Sequence, residues 1–96
     1  MPAVHRLGDS CSGHPPPGPG PRPTISASGN VNANGKGIVR AGVDSYDLHG
    51  DPLHSGKLSS GSSTVFVNGS PCGRVGDPVD CGSTEAAGGS GNVNAG

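Results

Sequence analysis

Large side chains are nearly absent from this sequence, which has one Phe, one Tyr and no Trp. Hydrophobic residues form only 29% of the chain, whereas Gly and Pro number 19 and 10 among its 96 residues. This composition overlaps that of disordered, low-complexity chains. A folded domain with so little apolar bulk would need a metal ion, a disulfide or a partner to compensate for its weak core.

Other absences exclude common functions. The formal net charge is −1 and basic runs are missing, so we expect no nucleic-acid binding. No apolar run approaches the roughly 20 residues of a membrane span, and the first residues lack the apolar core of a signal peptide. The cysteines are odd in number and form no CxxC, which argues against a disulfide framework; they are Cys11, Cys72 and Cys81.

An internal repeat organises the chain. Segments 28–42 and 62–76 align without a gap at an offset of 34 residues, and the same offset relates 5–9 to 39–43. The tail 90–95 is identical to 28–33, since both read Ser-Gly-Asn-Val-Asn-Ala. The residues identical in the two full copies are Ser28 and Ser62, Val31 and Val65, Asn34 and Asn68, Gly35 and Gly69, Arg40 and Arg74, and Gly42 and Gly76. So specific a repeat favours a folded protein over a disordered Gly-rich linker.

The repeat also predicts that the chain closes on itself. Units start at Ser28, Ser62 and Ser90, and joining Gly96 to Met1 would complete the third unit, so that three units account for all 96 residues. A pseudo-threefold closed object requires this relation between the ends, whereas an open solenoid does not. We therefore predict a single all-β domain over residues 1–96.

Each unit predicts a β-hairpin. Asn-Gly at 34–35 and 68–69 is the preferred pair for a type I′ turn, whose two central residues need positive φ. In the third unit the two termini themselves would form the hairpin. Strand alternation predicts one core-facing set, namely Val31, Ala33, Val65, Val67, Val93 and Ala95. The return strands leave two candidate inner faces, one with Val4, Ile38 and Cys72 and the other with Leu7, Ala41 and Val75.

The connectors 10–27, 43–61 and 78–89 are rich in Pro, Gly and Ser, and we expect them to be irregular. Each carries a potential metal ligand shortly after a return strand, and threefold closure would bring the connectors together at one end. Three imidazoles and one thiolate suit a tetrahedral, structural zinc or iron site, with the ligands His14, His49, His54 and Cys81. Cys11 is an alternative ligand, whereas Cys72 is expected to be a small buried residue.

Signals for enzymatic activity are weak. Neither G-x-S-x-G nor GxGxxG occurs, and the aspartates after the return strands suit turns. A zinc-dependent hydrolase would need an open coordination position and a nearby carboxylate base, and four protein ligands would leave no such position. We therefore expect a structural protein, with the hydrolase and the disordered linker as alternatives.

The segment 65–77, Val-Phe-Val-Asn-Gly-Ser-Pro-Cys-Gly-Arg-Val-Gly-Asp, closely resembles the repeat of the PAAR family, named for a Pro-Ala-Ala-Arg tetrapeptide after a V-N-G turn. Here the tetrapeptide reads Pro-Cys-Gly-Arg at 71–74, and only its arginine recurs in all three units, as Arg6, Arg40 and Arg74. The segments 6–14 and 79–82 are also similar to that family.

This resemblance implies a conical tip on the trimeric β-helical spike of a contractile phage tail or a type VI secretion system, aiding membrane piercing. It implies one cone per spike trimer, a monomer when free, and only transient contact with the target membrane. Within that family a metal near the point is held by three His and one Cys, which carry over to His14, His49, His54 and Cys81. The expected location is the tip of a virion tail, or outside the cell after type VI secretion, without a signal peptide.

Overall fold

The computed structural model describes residues 2–13, 20–47, 56–80 and 84–96. The regular structure of these residues is entirely β, as predicted, and they contain no helix that could cross a membrane. The strands are β1 (Asn32–Ala33), β2 (Lys36–Gly37), β3 (Phe66–Val67) and β4 (Ser70–Pro71). Two antiparallel hairpins result, β1 with β2 and β3 with β4.

The hairpin turns have the backbone that their sequences predict. The φ angles are 55° at Asn34 and 78° at Gly35, and 51° at Asn68 and 83° at Gly69. Positive φ at both central residues is the requirement of a type I′ turn, which matches the twist of the two strands. Asn tolerates this region better than other side chains, and Gly adopts it without a steric cost.

The two ends of the chain pair in the register of the hairpins. Ala3 lies antiparallel to Asn94, just as Gly37 lies opposite Asn32 and Pro71 opposite Phe66. The amide of Val4 donates to the carbonyl of Val93 at 2.9 Å, and the amide of Ala95 donates to the carbonyl of Pro2 at 3.0 Å. The predicted pairing of the ends is therefore present.

The return strands, residues 3–8, 37–42 and 71–76, close into a cycle that we call the strand ring. The amide of His5 donates to Gly73, that of Gly73 to Val39 and that of Val39 back to His5, at 2.8–3.0 Å. A second cycle of bonds joins Leu7 to Gly37, Ala41 to Pro71 and Val75 to Ala3. The molecule measures 34 × 23 × 22 Å, and its two nearly equal short axes fit a threefold arrangement.

The expectation of irregular connectors is wrong for part of their length. Six short segments pair antiparallel in a closed cycle that is separate from the strand ring. We call this cycle the belt, and its segments are 10–11, 23–24, 45–46, 57–58, 78–79 and 85–86. Each segment pairs with its neighbour in that order, and Ala86 returns to Cys11 to close the belt. Segments this short show no alternation of apolar and polar residues. The prolines Pro23 and Pro78 argue further against a strand assignment from sequence.

Two apolar clusters fill these layers. The hairpin core lies under the hairpins and contains Val4, Ala33, Ile38, Val67, Cys72 and Ala95, flanked by Val31 and Val93. The belt core contains Cys11, Val39, Ala41, Tyr46, Leu58, Val79 and Ala86. Val4, Ile38 and Cys72 thus face the hairpin core, whereas Ala41, from the other candidate face, is buried in the belt core. Among the predicted core-facing residues Val65 is the exception, since 38% of it is exposed beside the hairpin core.

Candidate functional site

An arginine–aspartate pair ends each return strand. The side chains of Arg6 and Asp9, Arg40 and Asp44, and Arg74 and Asp77 approach to 2.8–2.9 Å. In every copy the carboxylate also accepts the backbone amide of its own arginine, at 2.8–2.9 Å. The chain reverses within each pair through a glycine with φ of 77–93°, at Gly8, Gly42 and Gly76. This geometry explains why arginine and glycine recur in all three units.

The charges of these pairs are stabilised by their partners. Burial acting alone would raise the pKa of Asp9 and Asp44, but hydrogen bonds from the side chain and backbone of Arg6 and Arg40 outweigh it. The net pKa of both carboxyl groups is therefore lowered from 3.8. Hydrogen bonding to the aspartates likewise raises the pKa of the arginines. The pairs hold the fold together and offer no poised acid or base for catalysis.

The hairpin turns interlock around the strand ring. Asn68 Oδ1 accepts a hydrogen bond from Ser28 Oγ at 2.7 Å, and Asn68 Nδ2 donates to Asn30 Oδ1 at 3.0 Å. Asn34 makes the equivalent bonds with Ser90 and Asn92. In the third position the carbonyl of Gly96 accepts from the hydroxyls of Ser62 and Thr64. Each hairpin unit is therefore hydrogen-bonded to a neighbouring unit around the ring.

The outer edge of the hairpins faces solvent. Positions 93 and 95 bond to the return strand, so the backbone groups of Asn94 point away from it, and antiparallel pairing places Asn32 and Phe66 likewise. All three side chains are exposed, with Phe66 at 57%. The result is a set of three equivalent strand edges around one end of the molecule, which we call the hairpin end.

The four predicted metal ligands, His14, His49, His54 and Cys81, lie outside the described residues. Among the residues that are described, no group of three His, Cys, Asp or Glu side chains could hold a metal ion. The structure does show the belt segments on either side of these residues. The chain leaves the belt after residues 11, 46 and 79 and rejoins it at 23, 57 and 85.

All three departures lie on the same edge of the belt. Because every neighbouring pair of belt segments is antiparallel, the segments run alternately towards and away from that edge. Each departing segment is bonded to the segment that returns, with Cys11 N to Arg22 O at 3.0 Å, Tyr46 N to Gly56 O at 2.8 Å and Val79 N to Thr84 O at 3.1 Å. They are also bonded between connectors, with Asp80 N to Lys57 O at 2.8 Å. The hairpin end lies on the opposite side of the belt.

Comparison with known families agrees with this architecture. The PAAR motif family matches residues 49–96, half of the chain, including the second hairpin and the pairing tail. The chain belongs to the PAAR family. A search of curated proteins finds no match. This match confirms the resemblance noted from residues 65–77, and the family is a structural spike-tip family.

The two described cysteines of this PAAR domain are both buried. Cys72 is fully buried in the hairpin core, where burial raises the pKa of its thiol, and the prediction of a small buried residue is confirmed. Cys11, the alternative ligand, is 2% exposed and packs in the belt core. Its Sγ accepts a hydrogen bond from the amide of Arg22 at 3.4 Å. Both sulfur atoms are therefore part of the packing of the domain.

Sequence reasoning missed one buried polar cluster. His5 Nδ1 lies 2.6 Å from the carbonyl oxygen of Gly88, and His5 Nε2 lies 2.7 Å from the hydroxyl of Tyr46. Both rings are fully buried in the PAAR domain. A signal was available, because the repeat aligns His5 with Val39 and Gly73, at a position on the strand ring. The partner Tyr46 could not be foreseen, since the belt segment that carries it has no repeat signature.

Proposed function

We propose that this PAAR domain caps the trimeric β-helical spike of a contractile injection machine, with one cone of three hairpins on each spike. The observation that carries this proposal is the cyclic hydrogen bonding of His5, Val39 and Gly73, which gives a single chain a threefold frame. A monomer can match three identical chain ends only if it presents the same feature three times. The hairpin end does so, through the strand edges at Asn32, Phe66 and Asn94.

Docking would add strand pairing to apolar contact. Exposed strand edges recruit further strands through main-chain hydrogen bonds. Beside these edges the half-buried side chains of Val31 and Val93 flank the hairpin core, and Val65 and Phe66 are exposed. Since neither contribution depends on net charge, binding should be only weakly sensitive to salt.

We also propose that His14, His49, His54 and Cys81 hold one structural zinc or iron ion at the point opposite the hairpin end. Support comes from the belt, since the segments that carry these residues all leave it on one edge. When bound, the metal would cross-link three connectors that have little apolar bulk of their own. Four protein ligands would leave no coordination position for a reacting water molecule.

The cap is tested by mixing the chain with a β-helical fragment of its cognate spike and weighing the complex by light scattering. The expected mass is one cap per three spike chains. Phe66→Asp should weaken binding, because Phe66 lies on a proposed docking edge. Ile25→Asp is the matched control, since Ile25 is 59% exposed but lies next to the belt. Three caps per spike, or no complex with any cognate spike, would refute the proposal.

The metal is tested by elemental analysis of three variants. Cys81→Ser should lose the metal, whereas Cys72→Ser and Cys11→Ser should keep one ion per chain. Chelation should lower the melting temperature of the parent protein, because metal binding to the folded state stabilises it. Unchanged metal content in a folded Cys81→Ser variant would overturn the ligand set, and loss of metal from Cys11→Ser alone would assign Cys11 in its place.

The host machine is tested by its neighbouring genes. Spike, tube and sheath genes are expected beside this one in either a phage tail or a type VI secretion system. Capsid and packaging genes in the same cluster would place the domain at the tip of a virion tail. The ATPase that recycles a contracted sheath would instead place it in a secretion apparatus. Absence of any spike gene would contradict the proposed role.

A further inference from the structure

His5 joins three separate parts of the chain through one buried imidazole. It belongs to the strand ring, its Nε2 meets Tyr46 of the belt at 2.7 Å, and its Nδ1 meets Gly88, past the last belt segment, at 2.6 Å. The imidazole is fully buried, and its centroid lies 5.7 Å from that of the Tyr46 ring. Among the described residues this contact is the ring–ring contact that joins the two layers.

The partners define the protonation of the ring. A carbonyl oxygen can only accept a hydrogen bond, so Nδ1 carries a hydrogen and donates it to Gly88. In the neutral imidazole Nε2 is then an acceptor, and the hydroxyl of Tyr46 donates to it. Protonation of Nε2 would force Tyr46 to accept where it now donates, and would place a positive charge in a buried site.

The charged groups around His5 do not offset the free-energy cost of burying a protonated imidazole. Burial is the largest influence and lowers the pKa of His5 from 6.5, despite the hydrogen bond to Gly88. The carboxylates of Asp9 and Asp77 favour the charged form, whereas the guanidinium of Arg6 opposes it. Both carboxylates are already paired with an arginine. The folded protein therefore favours neutral His5.

We propose that the His5–Tyr46 pair is an acid-sensitive latch that fastens the belt to the strand ring near neutral pH and releases it in mild acid. The direction of the pH effect follows from the difference in proton binding between the closed and open forms. Below pH 6.5 the opened chain binds a proton on His5 more readily than the closed chain does, so acid favours the open form. Above pH 6.5 both forms are neutral at this residue and the latch is unaffected by pH.

The latch is tested by equilibrium unfolding of the metal-loaded full chain at pH 7.5 and 5.0, comparing the parent with His5→Val. Valine is the residue at the equivalent position 39. The folding constant of the parent should fall more than that of the variant between the two values. The excess fall is at most about 30-fold, the limit for one histidine with an unfolded-state pKa of 6.5. The other histidines are present in both proteins, so any contribution that they make cancels in the comparison.

A second measurement needs no variant. In the full chain with labelled histidine, the NMR signal of folded His5 should keep its neutral position from pH 8 to 5.5. As the pH falls over the same range, the amides of Tyr46 and Ala86 should lose protection, so that their exchange rates rise relative to the intrinsic rates at each pH. Equal pH dependence of the parent and His5→Val would overturn the latch. So would a His5 signal that titrates at 6.5 in the folded state without a change in exchange.

Discussion

Arginine is retained in all three units because each copy pairs through two nitrogen atoms with the carboxylate of an aspartate. Arg74 pairs with both oxygens of Asp77 and also donates to the carbonyl of Gly61 at 3.1 Å, while Arg6 does the same with Asp9 and Gly89. A planar guanidinium can meet a carboxylate and a carbonyl together, whereas a lysine ammonium is a point charge on a flexible stem. Arg6 and Arg74 thus each link the end of a return strand to a segment that enters a hairpin.

Replacing this arginine conservatively should therefore destabilise the domain. We expect Arg74→Lys to lower the free energy of unfolding by about 1.5 to 3 kcal/mol, the range for hydrogen bonds to charged groups. Arg22→Lys is the matched control, because within the described part of the chain the Arg22 side chain donates one long bond, to the carbonyl of Pro21 at 3.4 Å. This substitution should change stability by less than about 0.5 kcal/mol. Urea unfolding at neutral pH measures both, and equal effects would contradict this role of Arg74.

The lowered pKa of the paired aspartates predicts a second loss of stability, at a more acidic pH than the loss that involves His5. Because the pKa of Asp44 is lowered from 3.8 in the folded state, its contribution to stability is present above that value and is lost as the pH falls below it. Asp44→Asn should be less stable than the parent at pH 6, and the two should converge towards pH 2.5. Unfolding at a series of pH values tests this, and a constant difference between the two proteins would refute it. The pH range of this loss lies well below the pH range in which His5 affects stability.

At the scale of the elements, equivalent positions are filled by side chains of very different size. Cys11, Tyr46 and Val79 occupy matching places in the belt, and all three are buried. Gly73 occupies the ring position of His5 and Val39, where a Cβ would lie 2.7 Å from Leu58 Cδ1. Large side chains in one third compensate for small ones in another, which is how a chain with so few large residues fills one core.

The hairpin turn is the element whose substitution has the clearest expected outcome. Gly69 has a φ of 83° and space for a Cβ, so Gly69→Ala should lose about 1 to 2 kcal/mol of stability from backbone strain alone. Gly29→Ala is the matched control, because Gly29 also has space for a Cβ but no positive φ. Thermal unfolding should show the control unchanged or slightly stabilised. A loss of equal size in both variants would exclude strain as the cause.

For the whole molecule, stability depends on the pairing of the chain ends. Ala95 is 1% exposed in the hairpin core, and its amide bonds to Pro2. Deleting residues 91–96 would leave the strand ring without one hairpin and expose the apolar core beneath it. We expect this deletion to abolish cooperative unfolding, in contrast to the usual tolerance of termini to trimming. A truncated chain that kept the full melting temperature would contradict closure.

A circular permutant provides the matching positive test. Joining the present ends through an Asn-Gly turn and opening the chain between Asn68 and Gly69 should preserve the fold, because the three turn positions are equivalent in the repeat. Circular dichroism and thermal unfolding of the permutant should then match the parent within a few degrees. Failure of the permutant to fold would show that the third turn position is not equivalent to the other two.

How much of this architecture was legible in the sequence depends on the range of the interactions involved. The hairpin unit occurs three times, with the paired chain ends as its third copy, and a turn such as Asn68-Gly69 is dictated by its own φ requirements. The arginine positions follow the same repeat. The candidate ligands His14, His49, His54 and Cys81 were chosen by residue type and place in the repeat, and they remain predictions.

The inner face of the return strands, the belt and the His5–Tyr46 contact could not be read from the sequence. Val4, Ile38 and Cys72 face the hairpin core, while on the other candidate face Leu7 is 41% exposed and Ala41 is buried in the belt core. Both faces carry apolar residues, so alternation alone does not choose between them. The belt joins residues that are distant along the chain through single bridges, which leave no local pattern. Local rules determine the repeated hairpins, whereas the contacts between thirds depend on the volume and hydrogen-bonding groups that meet only after the chain has closed.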